Sequence, residues 1–245
     1  MVDKPGRRKK NKAPWGKIVA IVIGVLIIGA VGYLVYDTYI YSPPPVYAKV
    51  GTSLGSFYIE LFPACAPKTV SNFVNLVNTV LPNGQKFYQN LVWHRIAKGF
   101  VIQTGDPNSR NAVNSTRYKW GTGGSNNTVP LEICSWLHNY AGYVGMARKG
   151  NQTAGLNTGT SQFYILTDNQ TAATFERLDG YYTIFGKVIS GMNVVCSISK
   201  VPVYGEYAVQ NGDTIAGQPI TPIFLDNITM ILQSQAPVPQ PITQC

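Results

Sequence analysis

The sequence predicts a β-rich globular domain, a barrel or a sandwich, that follows a long apolar segment near the N-terminus. The 245 residues include 24 Gly, 16 Pro and 15 Tyr, and only 13% of them are charged. This composition is typical of a folded, turn-rich chain and not of a disordered one. Many short apolar runs are separated by glycine-rich or polar turns, as strands are. With two helical segments added, the pattern fits a closed antiparallel barrel that has helices at its ends.

Residues 1–17 form a basic arm. This arm contains seven Lys or Arg residues and one acidic residue, so it carries six of the nine net positive charges of the chain. A basic arm can bind nucleic acid. Placed directly before an apolar run, it indicates membrane topology instead. We therefore expect no nucleic-acid partner.

The apolar run at residues 18–36 contains no charged residue. Its length suits a helix that crosses a hydrocarbon core of about 30 Å. We interpret it as a transmembrane helix, which predicts a single-pass membrane protein with a cytoplasmic N-terminus and an extracytoplasmic C-terminal domain. A cleaved signal peptide is the alternative, but its apolar region is usually shorter and is followed by a cleavage site of small residues.

A proline-rich spacer, residues 37–45, precedes the globular domain, residues 46–233. The domain begins with two strand-like runs joined by a glycine-rich turn, which predicts a hairpin. Residues 67–81 carry apolar side chains at helical spacing and predict a helix that covers an apolar face. Residues 108–127 are polar and rich in glycine, as a long surface loop is.

Short apolar runs in the second half of the domain predict buried strands, at 143–147, 162–167 and 183–188. A short second helix is predicted at 192–199 and a closing strand at 223–232. The tail, residues 234–245, is rich in Pro and Gln and is predicted to be flexible.

The chain contains four cysteines, Cys65, Cys134, Cys196 and Cys245. They can form two disulfides in three different pairings, or stay as buried free thiols, and the sequence does not distinguish these states. The sequence has no Cys-x-x-Cys pair and only two histidines, so no structural metal site is predicted. Five Asn-x-Ser/Thr sequons occur, at Asn114, Asn126, Asn151, Asn169 and Asn227.

One stretch, residues 87–107, contains an arginine among apolar and aromatic residues that alternate as in a strand. With a bend at Gly99, the side chains of Arg95, Phe100 and Gln103 could line one shallow site. A half-buried arginine is costly unless it has partners. Pairing with a carboxylate for stability is the alternative explanation.

The same stretch resembles the central signature of the cyclophilin-type peptidyl-prolyl cis-trans isomerases. The matching residues are Trp93-His94-Arg95-Ile96, Lys98-Gly99-Phe100 and Gln103-Thr104-Gly105-Asp106-Pro107. Further blocks follow in the family's order, at Gly145-Met146-Ala147, Thr160–Ile165, Leu178-Asp179-Gly180 and Phe185-Gly186-Lys187-Val188. The resemblance implies a mainly β fold, an eight-stranded antiparallel cyclophilin-like barrel capped by two helices.

The resemblance also implies a peptidyl-prolyl isomerase that acts on proline-containing polypeptides without a metal or other cofactor. Arg95 falls on the position that donates to the prolyl nitrogen, and Gln103 on the position that orients this guanidinium. His94 does not fall on a substrate-contacting position, so we interpret it as structural. The substrate-contacting positions fall on Phe100, Val101, Gln162, Tyr164, Leu178, Tyr182, Ala147 and Arg148.

The sequence departs from the family pattern beside the expected site. Arg177 stands where the family often has Trp, a position that tunes cyclosporin binding, so the resemblance implies a possible cyclosporin site and Arg177 argues against it. Tyr182 replaces a pocket histidine, and Ala147-Arg148-Lys149 replaces the frequent Ala-Asn-Ala.

Three functions follow from these residues. The first is a membrane-anchored prolyl isomerase that assists the folding of exported or membrane proteins. The second is a cyclophilin-fold module that binds proline-containing segments with little catalysis. The third places the function in the basic arm, which would recruit acidic partners or anionic lipid.

Overall fold

The computed structural model describes residues 15–35, 46–150, 153, 155–169, 178–205 and 216–245. The chain divides into two units between residues 43 and 44. The basic arm up to residue 14, the spacer at 37–45, Asn151 and Arg177 lie outside the described residues. What the sequence predicts for these segments therefore stays a prediction, including the effect of Arg177 on cyclosporin.

The first unit contains one helix, α1 (Trp15–Val35). In the part of the chain that the structure describes, no helix combines the length and the apolar character needed to span a membrane. The predicted transmembrane helix at 18–36 is therefore wrong, and so are the predicted membrane partner and single-pass localisation.

The second unit is built on one antiparallel sheet of nine strands, whose order is β3-β9-β1-β2-β8-β6-β7-β5-β4. The strands are β1 (Val46–Thr52), β2 (Gly55–Leu61), β3 (Leu91–Val92), β4 (Arg95–Ala97), β5 (Val101–Thr104), β6 (Tyr143–Met146), β7 (Phe163–Leu166), β8 (Ile184–Ser190) and β9 (Phe224–Ile231).

The two strands at the ends of this order, β3 and β4, are separated in the chain by Trp93 and His94 alone. The sheet must therefore curl until its two ends meet. The prediction of a mainly β fold built on an antiparallel sheet is confirmed. The predicted count of eight strands differs from the observed nine, because the extended segment 91–97 pairs first with β9 and then with β5 and is interrupted between the two.

In the described part of the second unit, two helices pack against the core, α2 (Pro67–Asn78) and α3 (Met192–Ser199). Proline suits the first turn of α2, where its missing N–H has no helical acceptor to lose. Phe73 of α2 lies in the aromatic centre of the core, with ring centroids 5.4 Å from Phe185 and 5.7 Å from Phe163. The long polar loop predicted at 108–127 contains two short 3-10 helices, Pro107–Ala112 and Asn114–Lys119.

A second apolar cluster lies apart from this core and consists of Ala97, Val101, Tyr164, Leu166 and Leu178. Successive side chains of a strand point to opposite faces of the sheet. On β5, Ile102 therefore enters the core while Val101 joins the second cluster. On β7, Ile165 and Tyr164 divide in the same way. The sheet thus carries an apolar surface on its outer face as well as on its inner face.

Two disulfides close the second unit, Cys65–Cys134 and Cys196–Cys245. The first joins the segment just before α2 to the loop that contains Glu132. The Glu132 carboxylate accepts the N–H groups of Lys68 and Thr69, in the first turn of α2, at 3.0 and 2.8 Å. The second ties the C-terminal residue to α3. The segment 234–245, for which flexibility is predicted, is further held by a hydrogen bond from the Cys245 N–H to the Thr167 carbonyl, at 2.8 Å.

His94 is buried between β3 and β4, with 3% of its surface exposed. Burial lowers the pKa of this imidazole below its ordinary value of 6.5, and the nearby Asp106 carboxylate opposes that effect only in part. The neighbouring Arg95 adds to the lowering. The folded protein therefore holds His94 neutral, which agrees with the structural role predicted for it.

Loss of either disulfide is expected to destabilise the second unit. The bonded cysteines are 69 and 49 residues apart in sequence, so each bond restricts the unfolded chain and contributes about 4 kcal/mol in the chain-entropy estimate. We expect Cys65→Ser/Cys134→Ser and Cys196→Ser/Cys245→Ser to lower the midpoint of guanidinium chloride unfolding. Midpoints equal to that of the wild type would contradict the structural role of the bonds.

The stability of the folded protein is expected to fall in mild acid because of His94. Its folded pKa lies below 6.5, so the unfolded chain takes up the proton first as the pH is lowered. The stabilisation is complete above about pH 6.5 and is lost below it by up to about 1.4 kcal/mol per pH unit. Urea unfolding between pH 7.5 and 5 should show this slope in the wild type. Persistence of the full slope in His94→Gln would contradict the assignment.

Candidate active site

The candidate active site lies on the outer face of the sheet, over the second apolar cluster. A cavity of about 510 Å³ opens there. A smaller cavity of about 150 Å³ adjoins it, and both are lined by Gln103, Gly121, Thr122, Ala147 and Arg148. Together the two cavities form one groove across β4, β5 and β7.

Arg95 and Gln103 are direct partners in the β4–β5 register. Their side chains therefore leave the sheet on the same face, next to each other. An Arg95 guanidinium N–H donates to Gln103 Oε1 at 3.1 Å, and its Cζ lies 5.7 Å from the centre of the Phe100 ring. Gly99 supplies the turn between the strands with a φ of +67°, a conformation that favours glycine. The hairpin thus brings together the three side chains that the motif suggested.

Gln103 is in turn fixed by Gln162. The Gln103 Nε2 donates to Gln162 Oε1 at 2.8 Å. The Gln162 Nε2 donates to the carbonyl oxygens of Gly121 and Gly123 at 3.0 and 2.7 Å. Each side-chain amide in this series of hydrogen bonds has one donor end and one acceptor end. Gln103 therefore presents its oxygen, not its nitrogen, to Arg95. The guanidinium is therefore held in place before any substrate arrives.

The buried carboxylate of Asp106 holds the glycine loop, residues 121–123, at which this series of hydrogen bonds ends. It accepts the backbone N–H groups of Asn108, at 2.7 Å, and of Gly123, at 3.1 Å, and also that of Gly121. A Cβ at Gly123 would lie 2.3 Å from the Asp106 Oδ1, so this approach requires glycine. The sequence predicts these glycines only as part of a long surface loop at 108–127. The acidic residue of Gly105-Asp106-Pro107 was the available signal for its structural role.

Aromatic and aliphatic side chains form the apolar wall of the larger cavity. The rings of Tyr164 and Tyr182 meet edge to face, with centroids 6.0 Å apart. Burial raises the pKa of the Tyr164 hydroxyl, which therefore stays protonated. Arg148 covers part of this wall: its Cζ is 4.4 Å from the centre of the Tyr182 ring, and its Nε donates to the Tyr181 carbonyl at 2.7 Å.

Nine of the ten site residues suggested by the sequence line the larger cavity, and Gln162 lines the smaller one. The Ala147 N–H is already donated to the Gln162 carbonyl, at 2.9 Å. His94 also borders the larger cavity, although it is almost completely buried. Sequence reasoning did not identify the remaining lining residues, Trp120, Gly121, Thr122, Gly150, Ala216 and Gln218. These come from loops whose positions depend on contacts distant in sequence.

The chemistry offered by the groove is that of one oriented cationic donor beside an apolar cavity. Within the described ranges, no cluster of three or more His, Cys, Asp or Glu side chains could hold a metal ion. An arrangement of this kind can bind a compact apolar group and donate a hydrogen bond to an atom next to it.

Comparison with known proteins gives a consistent family match. Residues 47–218 match the family described as cyclophilin type peptidyl-prolyl cis-trans isomerase/CLD. Peptidyl-prolyl cis-trans isomerase-like 1 from Aspergillus oryzae is 38% identical over 156 residues, covering 63% of this chain and 83% of that protein. Peptidyl-prolyl cis-trans isomerase-like 2 from Rhizopus delemar is 34% identical over 158 residues, but the match covers only 25% of that longer protein.

Solved structures agree with the family match. The crystal structure of a cyclophilin type peptidyl-prolyl cis-trans isomerase from Cryptosporidium parvum matches with a TM-score of 0.60 at 27% identity, covering 78% of this chain and 99% of that one. A second crystal structure of that protein, obtained in the presence of the dipeptide Ala-Pro, matches with a TM-score of 0.58 at 26% identity. The shared signature, the curled sheet and these relatives together establish that the chain belongs to the cyclophilin-type peptidyl-prolyl cis-trans isomerase family.

Proposed function

We propose that this protein accelerates cis-trans rotation about X-Pro bonds in polypeptides and thereby assists their folding. The observation that carries the proposal is the Arg95 guanidinium, which Gln103 orients at 3.1 Å beside the apolar cavity. Family membership supports it, as does the structure of the Cryptosporidium relative in the presence of Ala-Pro.

The chemical problem is the partial double bond of the peptide unit, whose rotation barrier is about 18–20 kcal/mol. At the top of the barrier the bond is twisted and the prolyl nitrogen loses its conjugation with the carbonyl. Its lone pair then becomes a hydrogen-bond acceptor that the ground state lacks. A donor aimed at this nitrogen binds the transition state more tightly than the substrate, which is the requirement for catalysis.

The residues of the groove take separate roles in this proposal. Arg95 donates to the prolyl nitrogen, and Gln103 orients the guanidinium and contacts the substrate backbone. Gln162, Ala147 and Arg148 contact the residues on either side of the proline. The prolyl ring is held by the apolar wall, which consists of Phe100, Val101, Tyr164, Leu178 and Tyr182.

The energies of these interactions limit how much each of them can accelerate the rotation. A charge-assisted hydrogen bond contributes about 1.5–3 kcal/mol, which corresponds to roughly a ten- to hundredfold change in rate. The apolar cavity adds to this, because a donor acts more strongly where water is excluded.

A second candidate function is a receptor for proline-containing segments that has little catalytic activity. The observation that favours it is Arg148, whose guanidinium lies 4.4 Å from the centre of the Tyr182 ring. This cation covers part of a wall on which a prolyl ring would pack. Binding without acceleration of X-Pro rotation by the wild type would support this second function.

Arg95→Ala is expected to lower kcat/KM for X-Pro peptides by about a hundredfold, because the transition-state donor is lost. Lys98→Ala is the matched control, since it removes an exposed cation from the same hairpin. The measurement is a cis-trans exchange assay on peptides that vary in the residue before proline, with the full chain. Equal rates for Arg95→Ala and the wild type would refute the role of Arg95.

Gln103→Leu is expected to lower kcat by about tenfold, because Arg95 keeps its charge but loses the oxygen that orients it. Gln233→Leu, an exposed glutamine in the C-terminal segment, serves as the control. Steady-state kinetics should place the effect of Gln103→Leu mainly on kcat. A change confined to KM would show that Gln103 acts on substrate binding alone.

A further inference from the structure

Tyr164 reaches across Gly145 of β6 to a partner that does not line the larger cavity. Its hydroxyl donates to Asn139 Oδ1 at 3.1 Å, and both side chains are buried. The ring lies over Gly145, its partner in the β6–β7 register. A Cβ at Gly145 would lie 2.2 Å from the Tyr164 Cζ. The absence of a side chain at Gly145 therefore makes room for the tyrosine ring, and the hydroxyl fixes the ring there.

Asn139 extends this connection to Asp179. Its side-chain N–H donates to Asp179 Oδ1 at 2.6 Å, and its backbone N–H donates to the same oxygen at 3.0 Å. The second carboxylate oxygen of Asp179 lies 2.7 Å from Nδ1 of His138. Both oxygens of Asp179 thus contact the segment 138–139. Since the Asn139 amide has one acceptor and one donor end, this arrangement allows only one orientation of its side chain.

Asp179 directly follows Leu178, which forms part of the apolar wall. The Leu178 carbonyl accepts the N–H groups of Tyr181 and Tyr182, each at 3.1 Å. This turn places Tyr182 opposite the Tyr164 ring. Three side chains of the wall, Tyr164, Leu178 and Tyr182, therefore come from two segments that Asn139 and Asp179 connect. Neither Asn139 nor Asp179 lines the larger cavity.

We infer that Asn139 and Asp179 are positioning residues, which set the spacing of the wall that grips the prolyl ring. This inference rests on the proposed function in one respect only, that the wall binds proline. The wall contacts the prolyl ring in the ground state and in the transition state alike. Loss of its spacing should therefore weaken substrate binding without slowing the bound substrate, whereas loss of Arg95 slows it.

The first test uses Asn139→Ala in the full chain. We expect Kd for an Ala-Pro-containing tetrapeptide, measured by NMR titration, to rise about three- to tenfold, as the loss of a buried hydrogen bond predicts. KM should rise in parallel while kcat stays within about twofold. Asn83→Ala is the control, because Asn83 is exposed and lines neither cavity. A lower melting temperature with unchanged Kd and KM would overturn the inference and leave a purely structural role.

The second test compares two changes at Asp179. Asp179→Asn keeps an oxygen that can accept both N–H groups of Asn139, whereas Asp179→Ala removes it. We expect Asp179→Asn to keep Kd within about twofold of the wild type, and Asp179→Ala to raise Kd about three- to tenfold. A Kd for Asp179→Ala equal to that of the wild type would refute the inference.

A third variant remains informative if Asn139→Ala fails to fold. Tyr164→Phe removes only the hydroxyl that donates to Asn139. It should raise Kd about three- to tenfold, as Asn139→Ala does. Continued tight binding by Tyr164→Phe would overturn the inference. The binding readout also separates the inference from the proposed function. A wild type that binds the peptide but does not accelerate exchange would refute the isomerase, while the Kd pattern of the variants would still decide the role of Asn139 and Asp179.

Discussion

The fold depends on one constraint, the pairing of a single extended segment with both ends of the same sheet. Residues 91–92 pair with β9, and residues 95–97 pair with β5. Between them Trp93 enters the core, where its ring centroid lies 6.1 Å from that of Phe163. Ile96 of β4 also enters the core, so the side chain of its neighbour Arg95 leaves the sheet on the outer face just after the closure. Curling of the sheet and placement of the guanidinium are consequences of the same seven residues.

Placing a cation at this point requires compensation, because a half-buried charge loses part of its hydration. An amide oxygen and the Phe100 ring supply part of this compensation. Gln103 orients the guanidinium, Gln162 fixes Gln103, and the glycine loop fixes Gln162. Orientation in advance of binding is what makes such a donor effective.

Much of the local structure was predictable from the sequence. Alternation along β5 separates Val101 from Ile102, and helical spacing places Phe73 of α2 in the core, because both patterns repeat over distances shorter than one element. The signature around Arg95 brought the catalytic candidates together for the same reason. Its Gly99 turn and two adjacent strands are local, so their register follows from the hairpin.

The remaining features depend on contacts between distant parts of the chain. The cysteine pairing, the support of Gln103 by Gln162 and the link from Asn139 to Asp179 join residues about forty to seventy positions apart. No periodicity in the sequence encodes such a choice of partner. The interruption at Trp93 and His94 was missed because the segment reads as one continuous strand. The apolar run at 18–36 was misjudged because composition alone suggested a span that the described helix does not provide.

The anchoring of Cys245 has a practical consequence for handling the protein. The Cys245 N–H binds the Thr167 carbonyl, and the Thr167 N–H binds the Phe100 carbonyl at 2.9 Å. The last residue of the sequence is thus two hydrogen bonds away from a side chain that lines the groove. A purification tag or reporter placed next to Cys245 would start beside Thr167 and could disturb the hydrogen bonds that join Cys245, Thr167 and Phe100. Labels that must leave the groove undisturbed belong instead on exposed loops such as the turn at 82–84, which lines neither cavity.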